Sequence, residues 1–182
     1  MKHLFLLIIC LAIFKLAAAQ KTIDTLNFGF ENQTGSAGFA DRWMKMPRKS
    51  NFTFKLDSNT KHSGRYALLI EESNPSDQIF GCAARKLQHI SGKEIEVRAY
   101  MKLENITGVM GLMLRIDGKD SILAFDNMER KRIRGTINWR QYSVKLAIPE
   151  GAETVYVGGI LSGTGKLWLD DFEVLVDGNA IR

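Results

Sequence analysis

The chemistry open to this sequence lies in a few polar side chains whose spacing sets them side by side. Met113-Leu114-Arg115-Ile116-Asp117 and Ala124-Phe125-Asp126-Asn127-Met128 flank a reversal at Asp117-Gly118. Residues two apart on a strand share a face, so Arg115 stands beside Asp117, with Asp126 and Asn127 near the end of the partner strand. A guanidinium next to a carboxylate and an amide supplies directional donors and acceptors, the set that grips sugar hydroxyls or a carboxylated ligand. Equally, the same four residues form an internal salt bridge that closes one end of a sheet. Of the three tryptophans, Trp43 lies in the irregular stretch Gly38-Phe39-Ala40-Asp41-Arg42-Trp43 and is the better platform for a sugar ring. Trp43, Arg115, Asp117, Asp126 and Asn127 are therefore the candidate ligand-binding residues.

A second point of chemistry is Asp170. In Lys166 to Val176, strict alternation lines it up with Trp168, Phe172, Val174 and Val176, while Asp171 and Glu173 take the solvated face. A carboxylate among apolar neighbours must be hydrogen-bonded, paired or metal-bound, because desolvating it as an ion is worth several kcal/mol against the fold. Asp170 thus either caps a loop or holds a structural cation.

Catalytic templates fail. Gly163-Thr164-Gly165-Lys166-Leu167 has Ile160 where a phosphate loop needs its first glycine, and Leu167 where it needs a hydroxyl. No serine stands in a Gly-x-Ser-x-Gly elbow, and His62 and His89 are not spaced as a ligand pair. Catalytic residues: none, and an enzyme is not expected. The run Arg130-Lys131-Arg132-Ile133-Arg134 reads as a solvated loop rather than a site for an anionic polymer, since Glu129 precedes it and no second basic block extends it. Cys82, in Ile79-Phe80-Gly81-Cys82-Ala83-Ala84, reads as a small buried hydrophobe with no neighbour that favours a thiolate.

The elements that must position these side chains are strands. Short β-branched and aromatic runs recur at Asn27–Glu31, Asn51–Asp57, Tyr66–Glu72, Ile79–Leu87, Glu94–Leu103, Val109–Ile116, Ser121–Phe125, Gln141–Ile148, Thr154–Leu161 and Lys166–Val176, with Gly, Asn, Ser and Pro turns between them. That pattern predicts an all-β, antiparallel two-sheet sandwich of jelly-roll type in which the first and last strands lie close. Its core should include Phe30, Leu68, Ile70, Val97, Leu112, Leu114, Val155, Val157 and Trp168. Ahead of it, Met1-Lys2-His3, the 11-residue apolar run Leu4 to Phe14 and Ala17-Ala18-Ala19 predict a signal peptide over residues 1–19. That run is shorter than the roughly 20 residues of a membrane span. Residues 20–182 then form one exported domain, periplasmic or secreted. Removing Lys2 and Lys15 from 25 basic groups against 20 acidic ones leaves a charge of +3, which does not imply nucleic acid. A chain this long buries a core without staples, so a monomer is expected.

Asn27-Phe28-Gly29-Phe30-Glu31, Leu112 to Gly118, Leu123-Ala124-Phe125-Asp126-Asn127-Met128, Arg134 to Trp139 and Gly163 to Phe172 together carry a resemblance. They resemble a galactose-binding-like jelly-roll domain of bacterial exported hydrolases. It is similar to the non-catalytic domain ahead of tail-specific serine peptidases and erythromycin-esterase-like enzymes, especially in Bacteroidetes. The resemblance implies a sandwich related to carbohydrate-binding modules and, by residue match, a structural calcium between Glu31 and Asp170. In that arrangement a hydrolase domain follows, whereas the residues here run to Asn179-Ala180-Ile181-Arg182, so the family's catalysis is not expected to carry over. The expected function is a non-catalytic module that binds a glycan or cell-envelope component. The alternative is an accessory domain that docks on an exported hydrolase.

Overall fold

The computed structural model describes residues 25–34, 38–47, 51–72 and 80–181, so the signal-peptide segment lies outside the described residues. Eleven strands are described: β1 (Trp43–Met46), β2 (Phe52–Asp57), β3 (Ala67–Glu72), β4 (Gly81–Gln88), β5 (Glu94–Ile106), β6 (Val109–Asp117), β7 (Ile122–Asp126), β8 (Gly135–Ala147), β9 (Thr154–Ser162), β10 (Lys166–Val176) and β11 (Asn179–Ala180). The only other regular element among the described residues is a 3-10 turn, Glu129–Lys131. One sheet runs β1-β4-β9-β6-β7 and the other β2-β3-β10-β5-β8, with β11 added on β10. Every pairing is antiparallel. The chain is an all-β, two-sheet antiparallel sandwich.

Alternation builds it. Along β5, Ile95, Val97, Ala99, Met101 and Leu103 point inward and are fully buried, while Glu96, Arg98, Tyr100, Lys102 and Glu104 alternate outward. Phe30, Leu68, Ile70, Leu112, Leu114, Val155 and Val157 join them in one inter-sheet core. The sheets approach tightly at Gly159 of β9, where an added Cβ would stand 2.3 Å from Leu169 Cδ1 of β10. A glycine there lets the leucine pack on bare backbone.

Three expectations are corrected. Asn27–Glu31 is a turn rather than a strand, because Asn27 (φ 55°) and Phe30 (φ 59°) are left-handed. The expected contact with Lys166–Val176, now β10, survives through the Phe172 N–H, which donates to Phe28 O at 3.0 Å. The second correction concerns Trp43, which opens β1 instead of sitting in a loop. Third, Trp168 is buried outside the inter-sheet core, in a small cluster with Ala67, Leu69 and Trp139 on the outer face of the six-stranded sheet. Its indole N–H donates to Asp57 Oδ2 at 2.9 Å. A bulge explains this: Asp170 pairs with Tyr100 but Glu173 with Arg98, so Asp171 (φ 48°) is an extra residue. Parity flips across it, leaving Trp168 and Asp170 outward while Phe172 and Val174 turn into the core. β8 also begins six residues earlier than expected, at Gly135, because a polar edge strand carries little apolar signal.

Candidate functional site: a cleft across the five-stranded sheet

The outer face of the five-stranded sheet is not flat. One rung runs Met46–Cys82–Ile160–Gly111 across β1, β4, β9 and β6, and the next runs Met44–Ala84–Gly158–Met113. Ala84, Gly158 and Gly111 carry little or no side chain, so the middle of the sheet stays low between bulkier margins. The result is a cleft of about 400 Å³ with Cys82, Met113 and Ile160 on its floor. Met46, Pro47 and Phe80 line it on one side, and Ile122, Phe125 and Asn127 on the other. Phe80 (37%), Ile122 (52%) and Phe125 (49%) keep large apolar surfaces in solvent. Contiguous exposure of this kind marks binding surfaces.

Arg115 supplies the polar end. Its Nε and Nη2 donate to Asp117 Oδ1 and Oδ2, each at 2.7 Å, a two-pronged fork that fixes the guanidinium plane 5.6 Å from the Tyr156 ring. Those Asp117 hydrogen bonds push the Arg115 pKa further up, so the fork is charged at any working pH. Arg115 and Asp117 are thus brought together as expected, and Arg115 and Asn127 line the cleft. Asp126 is not brought onto this face. Phe125 is the residue opposite Arg115, so its neighbour Asp126 points the other way, where Oδ1 accepts the Met128 N–H at 2.7 Å. Cys82 is a floor element only: burial pushes its thiol up to about 12, which keeps it protonated and unreactive.

Trp43 is removed from the ligand set. It is 7% exposed, its ring centroid lies 4.7 Å from Phe30 and 5.1 Å from Phe172, and its Nε1–H donates to Asn27 O at 2.9 Å. A ring enclosed on both sides has no face left for a sugar.

Glu31 and Asp170 converge on one loop, residues 62–66, through its backbone N–H groups. Glu31 Oε1 accepts from Arg65 N (2.7 Å) and Tyr66 N (3.1 Å), and Oε2 accepts from Arg65 Nε at 3.1 Å. Asp170 Oδ2 accepts from His62 N (2.8 Å) and Ser63 N (3.1 Å), and Oδ1 from Asp171 N at 2.8 Å. Of the two alternatives for Asp170, the loop cap holds. Calcium needs 6–8 oxygens. Here every carboxylate oxygen faces a nitrogen donor, one of them a guanidinium, and no group of three or more metal-ligating side chains occurs among the described residues. The donor set does not fit calcium. A chelator is therefore expected to leave the melting midpoint unchanged, because only a ligand bound to the folded state raises it; a fall in midpoint with EDTA would restore the cation.

A grouping that the sequence spacing hides lies beside that loop. His62 Nδ1 is 2.7 Å from Asp171 Oδ2, and Ser63 Oγ donates to Asp171 Oδ1 at 2.7 Å. The types are those of a hydrolytic triad, but both side chains bond the carboxylate. In a triad the serine hydroxyl must reach the imidazole that takes its proton. The His62 ring is stacked on Tyr100, centroids 3.6 Å apart, with the Trp139 ring centroid 5.7 Å away at 64°. The cluster therefore pins the loop to the bulge of β10.

No family model matches the chain. Among curated proteins, an uncharacterised HTH-type transcriptional regulator of Bacillus subtilis (strain 168) is 29% identical over 125 residues, 65% of this chain and 42% of that protein. The chain thus spans about two fifths of that relative's length. Among solved structures, a family 22 xylan-binding domain superposes with a TM-score of 0.55 at 19% identity, over 84% of this chain and 94% of its own. This is the fold of carbohydrate-binding modules. It is shared with enzymes: the enzymatically active domain of a bacteriophage CBA120 tailspike gives a TM-score of 0.56 at 12% identity, over 85% of this chain and 21% of that one. A Fischerella sp. TAU cyclase in complex with 4-(1H-indol-3-yl)butan-2-one gives 0.55 at 12% identity, over 82% and 93%. Similarity at these identities establishes fold, and function has to be argued from the site.

Proposed function

We propose that the chain is a non-catalytic module that binds a glycan in the cleft across its five-stranded sheet. The observation that carries this is the combination in one cleft of exposed aromatic rings, Phe80 and Phe125, with the fixed Arg115–Asp117 fork. Rings bury the apolar faces of sugars, while a fork and an amide read hydroxyls. Likeness to xylan-binding modules supports the same reading. The proposal includes export on the leader-like residues 1–19 and, as the alternative, an accessory role beside an exported hydrolase, which co-purification would reveal.

Affinity electrophoresis and calorimetry against soluble xylan and β-1,4-galactan test the reading. Phe125→Ala is expected to weaken binding by about tenfold or more, as loss of an exposed anchor does. Arg115→Ala should also lose affinity yet destabilise the fold by only about 1 kcal/mol, since its side chain is 35% exposed. Unchanged affinity in both variants would move the ligand out of this cleft. A second reading has one observation behind it: the cleft is lined mainly by Met, Ile and Phe, which suits a small apolar ring system. Binding of an indole, with every polysaccharide refused, would favour it.

A further inference from the structure

The structure divides the members of the basic run Arg130 to Arg134, which the sequence presents as a solvated loop. Lys131 Nζ donates to Ser143 O at 2.9 Å, and Arg134 donates to the carbonyls of Thr107 and Gly108. Those two side chains clamp the loop to the sandwich. Arg130 and Arg132 do not share that work: both are exposed, and neither side chain has an ion pair or hydrogen bond among the described residues. Both line a second cleft, of about 530 Å³, together with Phe125, Asp126, Asn127 and Glu129. Phe125 and Asn127 also line the first cleft, so the two clefts adjoin at the edge strand β7.

The second cleft is held in shape before any ligand arrives. Met128 and Arg132, at φ 61° and 49°, bracket the 3-10 turn, and left-handed backbone at such residues persists only where surroundings impose it. Here the buried Met128 side chain imposes it, its sulfur accepting the Leu112 N–H at 3.1 Å. Asp126 Oδ1 and Asn127 Oδ1 cap the turn from Met128 N and Glu129 N. Binding therefore need not order this loop, which is the main advantage of a preformed site.

We propose that the glycan is anionic, with one ring against Phe125 and a carboxylate or sulfate of the next unit held between Arg130 and Arg132. This rests on the glycan reading of the adjoining cleft and extends it. The chemistry is selective. Guanidinium forks bind pairs of oxyanion oxygens, while Asp126 and Glu129 in the same cleft accept hydrogen bonds from hydroxyls and repel a continuous polyphosphate. A uronic-acid or sulfated saccharide has both hydroxyls and isolated negative charges; a nucleic acid does not.

The test is a glycan array that pairs neutral oligosaccharides with their uronic-acid and sulfated counterparts, plus a DNA duplex. It is read with the wild type and with Arg130→Ala/Arg132→Ala, whose melting midpoints should match because both arginines are exposed and unpaired. The expected result is at least about tenfold tighter binding of anionic than of neutral members, with that preference collapsing towards one in the double variant. Equal binding of neutral and anionic members, or a preference untouched by the variant, would overturn the inference and leave the glycan reading standing. Refusal of every glycan would overturn both. DNA bound as tightly as the anionic sugars would reduce the loop to a bare polyanion patch and sink the assignment.

Discussion

Replacing Trp43 with Ala is expected to lower the unfolding free energy by about 3–5 kcal/mol, the range for deleting a large aromatic from a packed core. Trp43 packs between Phe30 and Phe172, so its loss opens a cavity where the turn at Asn27–Glu31 meets β10. It also removes the donor to Asn27 O. Asn27 is 1% exposed and ties the turn together, donating from Nδ2 to Asn32 O and Asp41 O and accepting the Asn32 N–H on Oδ1. Trp43→Phe, which keeps most of the ring volume, should be milder, at about 1–2 kcal/mol, from the lost hydrogen bond and the smaller ring. Urea unfolding followed by circular dichroism measures both. A Trp43→Ala protein with wild-type stability that had lost only glycan binding would return this residue to the ligand surface.

Trp43 lies beside the part of the fold that alternation does not announce. A strand announces itself by alternation, and β5 does so for most of its length, from Glu94 to Leu103, which is why the sheets and most of the core were legible. Two features broke that signal. Asn27 and Phe30 take left-handed backbone that only the hydrogen bonds around Asn27 select, so an apolar run beginning at Asn27 read as a strand. The Asp171 bulge then shifts parity inside a run whose residue types still alternate, so Trp168 and Phe172, apparent neighbours on one face, lie on opposite faces.

The site was legible to the extent that it is local. Arg115 and Asp117 are two residues apart on one strand, and their fork follows from spacing alone. Asp126 and Asn127 are adjacent, so alternation must send them to different sides, and only Asn127 reaches the first cleft. The cleft itself is a property of register: Cys82, Ile160 and Met46 meet across three strands distant in sequence. One signal was available. Ile122-Leu123-Ala124-Phe125 is apolar at consecutive positions in a short strand, and an edge strand cannot bury both faces, so some of those residues had to remain exposed.

Asp170 gives the second large effect, as a dependence of stability on pH. Burial dominates its surroundings and raises its pKa from 3.8 to about 6, with the neighbouring Asp171 charge adding to the shift and the three N–H donors opposing it. The folded state therefore holds the Asp170 proton more tightly than the unfolded chain does. Linkage then fixes the sign: the contribution is fully present below pH 3.8, declines as pH rises through about 6 and is lost above it. The change across that window is up to about 3 kcal/mol. Asp170→Asn keeps the shape but cannot titrate, and like the protonated acid it offers one full acceptor oxygen beside a group that carries hydrogen. The stability of wild type relative to the variant should fall by up to about 3 kcal/mol between pH 4 and pH 8, because only the wild type loses this contribution. The His62–Asp171 pair is present in both proteins and cancels in the difference. Urea midpoints of the two proteins from pH 4 to 8 provide the measurement. Parallel curves would mean that the Asp170 carboxylate is ionised throughout, and that the N–H groups of His62, Ser63 and Asp171 outweigh its burial.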